Sequence, residues 1–142
     1  MTATATNVGK VVQVIGSTLD AEFETLPAIY NALELTVPAP DGGTMTLVCE
    51  VQQHLGRHRV RAIGLASTDG VTRGQEITDT GGPVMMPVGE ATVGRIFNLL
   101  GETIDNGEQL ADDVPRLPIH RSAPAFEDLT PEDEIFETGI KV

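Results

Sequence analysis

Two histidines, one cysteine and a run of acids are the side chains of this sequence whose types and spacing could support chemistry. His54 and His58 stand four positions apart, which on a helix would place two imidazoles on one face for zinc. On a β-strand the two Cα atoms would instead lie about 13 Å apart, too far to share an ion. Because the flanking residues alternate as a strand does, we expect no metal site.

Cys49 is the only cysteine, which excludes an internal disulfide and fits a reducing compartment. It lies within an apolar alternation, so we expect a packed core thiol and not a nucleophile. Near the end of the sequence, Thr130-Pro131 predicts the N-cap and first residue of a helical turn. Capping and solvation at the positive end of that turn explain the acids that follow, without catalysis: Glu132, Asp133, Glu134 and Glu137.

The sequence contains no phosphate-binding loop. A loop of the form GxxxxGK[ST] needs a lysine followed by Ser or Thr, so that backbone N–H groups and the lysine hold phosphate while the hydroxyl holds Mg²⁺. The two lysines are Lys10, followed by Val11, and Lys141, followed by Val142. We therefore predict that these residues include no catalytic, cofactor-binding or metal-binding position.

Charge and hydropathy narrow the function classes further. A net charge of −12 argues against a nucleic-acid partner, since phosphate backbones select Lys and Arg. The first residues, MTATATN, lack the basic and apolar regions of a signal peptide, and no apolar run approaches the roughly 20 residues of a membrane helix. We expect an intracellular protein that reaches a membrane only through partners.

The first eighty residues alternate with period two, the pattern of half-buried strands. Leu33, Leu35 and Val37 alternate with polar neighbours, and a second apolar series follows: Met45, Leu47, Cys49 and Val51. Glycines in PDGG, Asp69-Gly70 and Arg73-Gly74 mark turns between the strands. Many short strands in so few residues favour a closed barrel, which leaves no exposed edges.

Three arginines alternate with other residues around His58. Arg57, Arg59 and Arg61 share one face of a predicted strand. A solvated strand face explains them, and an interface strip that meets an acidic neighbour is the functional alternative.

The stretch from Gly81 to Asp105 predicts a junction that ends in a short helix. Its apolar stripe has helical spacing and consists of Val93, Ile96, Phe97 and Leu100. Gly101 would end the helix with a positive φ. Pro83 and Pro87 predict an edge strand or an extended connector before it. We expect the apolar stripe to be exposed or repacked.

The segment VGEATVGRIFNLLGETID resembles the one that opens the nucleotide-binding domain of the β subunit of F-type ATP synthases. Three further stretches resemble the same family in the same order: GKVVQVIGSTLDAEF, CEVQQHLG with STDGVTRG, and PIHRSAPAFEDLTPEDEIFETGIKV. The sequence departs from the family at Arg57 and His58, where acidic or amide residues are more common.

This resemblance implies a mainly β chain. Residues 1–82 would form a six-stranded N-terminal β-barrel, the crown domain, and residues 83–142 would open an α/β nucleotide-binding domain that is incomplete here. The strands around Val11 to Ile15 and Thr44 to Val51, with the predicted Gly94 to Gly101 helix, would then serve assembly and support.

The resemblance also implies a function for the longer subunit of which this sequence would be the N-terminal portion. In the family, three such subunits alternate with three α subunits around a central stalk, bind ATP or ADP with Mg²⁺ in their central domains, and make ATP using a proton gradient. The complex would lie at the cytoplasmic face of a bacterial cell membrane. Without the phosphate-binding loop, we expect the 142-residue chain alone to bind no nucleotide and to be inactive.

Two other readings remain open. A related hexameric ATPase, such as an α, vacuolar-type or flagellar-export subunit, shares the layout, although Ile96-Phe97-Asn98, Glu102 and Ile119-His120-Arg121 favour the β subunit. A standalone, non-catalytic assembly module is the second. An oligonucleotide-binding barrel is weaker, since aromatic and basic residues do not interleave on the strands.

Overall fold

Six antiparallel strands close into a barrel in the computed structural model, which describes residues 7–39, 42–129, 135 and 137–138. The order around the barrel is β1-β2-β5-β4-β3-β6. The strands are β1 (Asn7–Ile15), β2 (Thr18–Glu22), β3 (Asn31–Pro38), β4 (Thr44–Gly56), β5 (Arg59–Gly64) and β6 (Glu76–Pro83). The prediction of a mainly β, six-stranded barrel is confirmed.

The barrel interior is filled by the alternating apolar residues that the sequence pattern indicated. Leu33, Leu35 and Val37 point inward from β3, and Leu47 and Cys49 face them from β4. The remaining interior side chains are Val11, Leu19, Ala21, Phe23, Val51, Val60, Ala62 and Ile77. Closure therefore buries one face of every strand and leaves the other face to solvent or to later parts of the chain.

A second, smaller sheet follows the barrel. It pairs β7 (Met85–Pro87) with β8 (Arg116–Pro118) in antiparallel register, and we call this pair the ribbon. The extended backbone predicted around Pro83 and Pro87 is confirmed, since Pro83 ends β6 and Pro87 ends β7. Two single 3₁₀ turns, Glu90–Thr92 and Phe126–Asp128, are the remaining elements of the described residues.

The predicted helix over Val93 to Leu100 is wrong. Gly94 has φ +73°, and the segment instead folds back as a short hairpin in which Ile104 N–H donates to the Ile96 carbonyl. Asn98 Oδ1 accepts the N–H groups of Leu100 and Glu102, each at 2.9 Å. Side-chain bonds of this kind compete with helical ones, so local polar chemistry overrides the apolar spacing here.

The residues of the predicted apolar stripe differ in exposure. Val93 and Ile96 are 78% and 58% exposed, as expected, whereas Phe97 and Leu100 are partly buried. Gly101 has the predicted positive φ, +76°, but in the hairpin turn and not at a helix end. The helical turn predicted at Thr130-Pro131, with Glu132, Asp133 and Glu134, lies outside the described residues. Within the described part of the chain, no helix is long or apolar enough to span a bilayer.

Candidate functional site

The ribbon packs on the outer wall of the barrel, over β3 and β4. Val84, just before β7, is only 6% exposed and packs with Ala32 of β3 and Val48 of β4. Leu65 and Leu100 complete this small cluster. Its residues point away from the barrel interior, so the chain that leaves the barrel covers part of the outer surface.

A hydrogen-bonded cluster, the Glu50 clasp, holds the ribbon where the chain leaves β8, at the same end as Val84. His120 follows β8, and its Nε2 lies 2.9 Å from Glu50 Oε2 on β4. Gln52 Nε2 donates to the other carboxylate oxygen at 2.6 Å. The His120 ring stacks on Tyr30, with centroids 4.0 Å apart and planes 20° apart. The side chain of Glu50 is only 8% exposed, so these partners compensate a nearly buried carboxylate.

A second hydrogen-bonded cluster, around Asp105, stabilises the hairpin. Arg95 binds Asp105 with two donors, at 2.6 and 3.0 Å, and also donates to the Glu108 carbonyl. Asp105 accepts the backbone N–H groups of Gly107 and Ile96 as well. The Arg95 guanidinium, followed by these N–H groups, holds the pKa of Asp105 well below its ordinary value. The carboxylate is therefore the centre around which this loop is organised.

A groove of about 1100 Å³ lies between the barrel wall and the hairpin. Its floor includes Glu34 and Val48, which are paired across β3 and β4. Val84 and the tip of the hairpin, including Leu99 and Glu102, form the facing wall. The groove is open, and its lining combines apolar side chains with two carboxylates.

The arginine strip is only partly as predicted. Arg57 lies in the turn between β4 and β5 with φ +51°, so it does not share the strand face. Arg59 Nε binds Glu22 at 3.0 Å, and Arg61 binds Asp20 through two nitrogens at 2.8 and 2.9 Å. The acidic partners of Arg59 and Arg61 are therefore on β2 of the same chain. Because both arginine charges are already paired within the chain, the hypothesis of an interface strip is weakened.

The other candidate residues lie apart from one another. His54 Nε2 contacts the Pro27 carbonyl at 2.7 Å, and His58 Nδ1 contacts the Glu24 carbonyl at 3.1 Å. The packed core thiol is confirmed: Cys49 has no exposed surface, and burial raises its pKa to about 12. Among the described residues, no three His, Cys, Asp or Glu side chains approach closely enough to hold a metal ion.

The sequence pattern does not identify Glu50 and its partners as a cluster. Glu50 alternates with the apolar residues Cys49 and Val51, and no pattern links it to His120, 70 positions later. The available signal was a carboxylate next to a buried thiol in an otherwise apolar strand segment, Leu47 to Val51. Such a position needs a polar partner, although the sequence does not say which one.

One family model matches this chain. It is described as the β-barrel domain of the ATP synthase alpha/beta family and matches residues 11–81, half of the 142-residue sequence. The matched range runs from β1 into β6 and so coincides with the closed barrel. The match supports a rotary ATPase-like subunit that assembles in a hexameric ring. On this evidence, the chain belongs to the ATP synthase alpha/beta family.

Proposed function

We propose that this chain is the ring-assembly portion of the catalytic β subunit of a proton-translocating F-type ATP synthase. The observation that carries the proposal is a closed barrel over the family's barrel range, followed by VGEATVGRIFNLLGETID and PIHRSAPAF. Its partners are then α subunits in an alternating three-plus-three ring and a central stalk. Its location is the cytoplasmic face of the cell membrane, as a peripheral part of the complex.

The chemistry of this portion is support and not catalysis. A barrel has no free strand edges, so it meets a neighbouring barrel through side chains. Ile15 and Ile63 are 61% and 41% exposed and flank Thr18 in one register row across β1, β2 and β5. This row is an exposed apolar strip, the kind of surface that favours association with another subunit. We assign it to the contact between barrels.

The residues present do not fit a nucleotide with Mg²⁺. No GxxxxGK[ST] loop occurs in the sequence, and Lys10 lies on β1, beside Phe23 of the barrel core rather than in a loop. In the family, ATP or ADP with Mg²⁺ supplies the reacting phosphates, and we propose that the residues described here take no direct part in that reaction. The proposal therefore gives this chain alone no nucleotide binding and no turnover.

The test is assembly with a purified F-type α subunit, followed by light scattering after size exclusion. We expect a heteromeric complex for the unmodified chain and loss of that complex for Ile15→Asp with Ile63→Asp. Ile29→Asp is the control, since Ile29 is 46% exposed but lies in the loop between β2 and β3.

Three results would contradict parts of the proposal. Failure to bind α while binding a vacuolar-type or export-type partner would move the chain to a related hexameric ATPase. A stable monomer with every partner would favour a standalone module. Saturable binding of a fluorescent ATP analogue to the chain alone would refute its inactivity.

A further inference from the structure

The groove between the barrel wall and the hairpin carries a charge pattern that the assembly role does not use. Glu34 projects from the outer face of β3 and Glu102 from the hairpin tip, and both line the groove. Asn98 Nδ2 donates to Glu102 Oε2 at 2.7 Å, which orients that carboxylate. Among the described residues, neither Glu34 nor Glu102 has a Lys, Arg or His partner within salt-bridge distance.

The remainder of the lining is mostly apolar and holds no basic side chain. Its larger apolar residues are Met45, Leu65, Met85, Leu99 and Leu100, and three of them are exposed: Met45 at 38%, Met85 at 39% and Leu99 at 57%. Apolar surface between two unpaired carboxylates complements a ligand that is itself apolar and positively charged. The overall charge of −12 strengthens attraction for such a ligand and opposes a second copy of this chain.

We propose that this groove is a docking site for a short apolar peptide segment that carries Lys or Arg, supplied by a partner protein. The apolar residues of the segment would cover Met45, Met85 and Leu99, and its basic residues would pair with Glu34 and Glu102. The site lies on β3, β4, the end of β6 and the hairpin, and its lining includes neither Ile15 nor Ile63. The inference does not rest on the proposed subunit assignment.

Two synthetic peptides of matched length test the proposal. The first is acetyl-Leu-Lys-Val-Leu-Lys-Ala-amide, and the second replaces each Lys with Glu. The methionine methyl groups serve as NMR reporters, since Met45 and Met85 line the groove whereas Met86 does not. We expect the basic peptide to give saturable shifts at Met45 and Met85, little change at Met86, and binding that weakens with added salt.

The variant Glu34→Gln with Glu102→Gln should weaken this binding about fivefold or more. The control Glu24→Gln with Glu76→Gln makes the same change in net charge at exposed carboxylates outside the groove, and should bind as the unmodified chain does. Equal binding of the acidic peptide, equal weakening by both double variants, or shifts that include Met86 would each overturn the proposal. Peptide binding without ring assembly would refute the subunit assignment and leave the groove intact.

Discussion

Replacement of His120 by Phe should loosen the ribbon from the barrel. The Phe ring retains the stack on Tyr30, but Glu50 loses one of its two hydrogen-bond partners and keeps only Gln52. The oxygen that loses its partner is Glu50 Oε2, and a buried polar atom without a partner costs about 1–3 kcal/mol. His120 itself is 40% exposed, so water can reach one side of the clasp, and we expect the lower part of that range, about 1–1.5 kcal/mol.

Urea unfolding followed by circular dichroism measures the global effect. With a slope of about 2 kcal/mol/M, the midpoint should fall by roughly 0.5–0.8 M. Arg121→Ala is the matched control, because Arg121 is the exposed neighbour of His120, and it should change stability by less than about 0.5 kcal/mol. His120→Gln keeps a donor and loses the ring, so it separates the hydrogen bond from the stack.

Amide exchange gives the local readout. Ile119 N–H donates to the Val84 carbonyl at 3.1 Å and joins the ribbon to the end of the barrel. Its exchange should accelerate in His120→Phe, by about tenfold for each 1.4 kcal/mol lost. Phe23 N–H, which donates to the His58 carbonyl at 2.9 Å within the barrel, should not change. If His120→Phe matches Arg121→Ala in both measurements, the clasp does not hold the ribbon.

Three further outcomes are expected. Gly9→Ala should lower the free energy of unfolding in urea by about 1–3 kcal/mol, because a Cβ there would meet the Phe23 ring and a backbone oxygen at 2.6 Å. Gly82→Ala is the control, since a Cβ there meets open space, and it should cost under about 0.5 kcal/mol. Equal costs would contradict the packing at Gly9. Cys49, with a pKa of about 12, should resist iodoacetamide at pH 8 in the native protein and react in urea; rapid native labelling would contradict its burial. Asp105 should stabilise the protein fully above the ordinary carboxyl pKa of 3.8 and less as the pH falls below it. The difference in unfolding free energy between the unmodified chain and Asp105→Asn should therefore shrink in acid. A difference that does not change with pH would refute the pairing with Arg95.

The barrel interior could be predicted because each strand repeats the same simple requirement. Leu33, Leu35 and Val37 are buried for the reason that their spacing gives, since alternate residues of a strand share a face. The same rule fails on the outer face of β4. Val48 and Glu50 alternate as solvent-facing residues should, yet they are 8% and 6% exposed because the ribbon and His120 cover them. Such burial depends on contacts between residues that are dozens of positions apart in the sequence, and a local alternation of apolar and polar residues does not encode them.

The helix prediction failed for the opposite reason. The interactions that form the hairpin in its place are polar and join residues that are close in the sequence. The apolar spacing from Val93 to Leu100 fits a helix, but Gly94 adopts a positive φ and Asn98 binds two backbone N–H groups. Asp105 then accepts the Ile96 N–H. An Asn or Asp that can bind nearby backbone groups lowers the value of an apolar period as evidence for a helix.

The Glu50 clasp and Val84 attach the two strands of the ribbon to the barrel at one and the same end. The chain leaves β6 at Pro83 and touches the barrel at once through Val84, and a single contact of this kind would allow the ribbon to pivot. His120 adds a second contact, on β4, at this same end of the ribbon, because Met85 pairs with Pro118. Both strands of the ribbon are therefore tied to the barrel wall there. A nearly buried carboxylate is costly to keep in a strand, and at Glu50 the hydrogen bonds to Gln52 and His120 compensate that cost while they attach the ribbon.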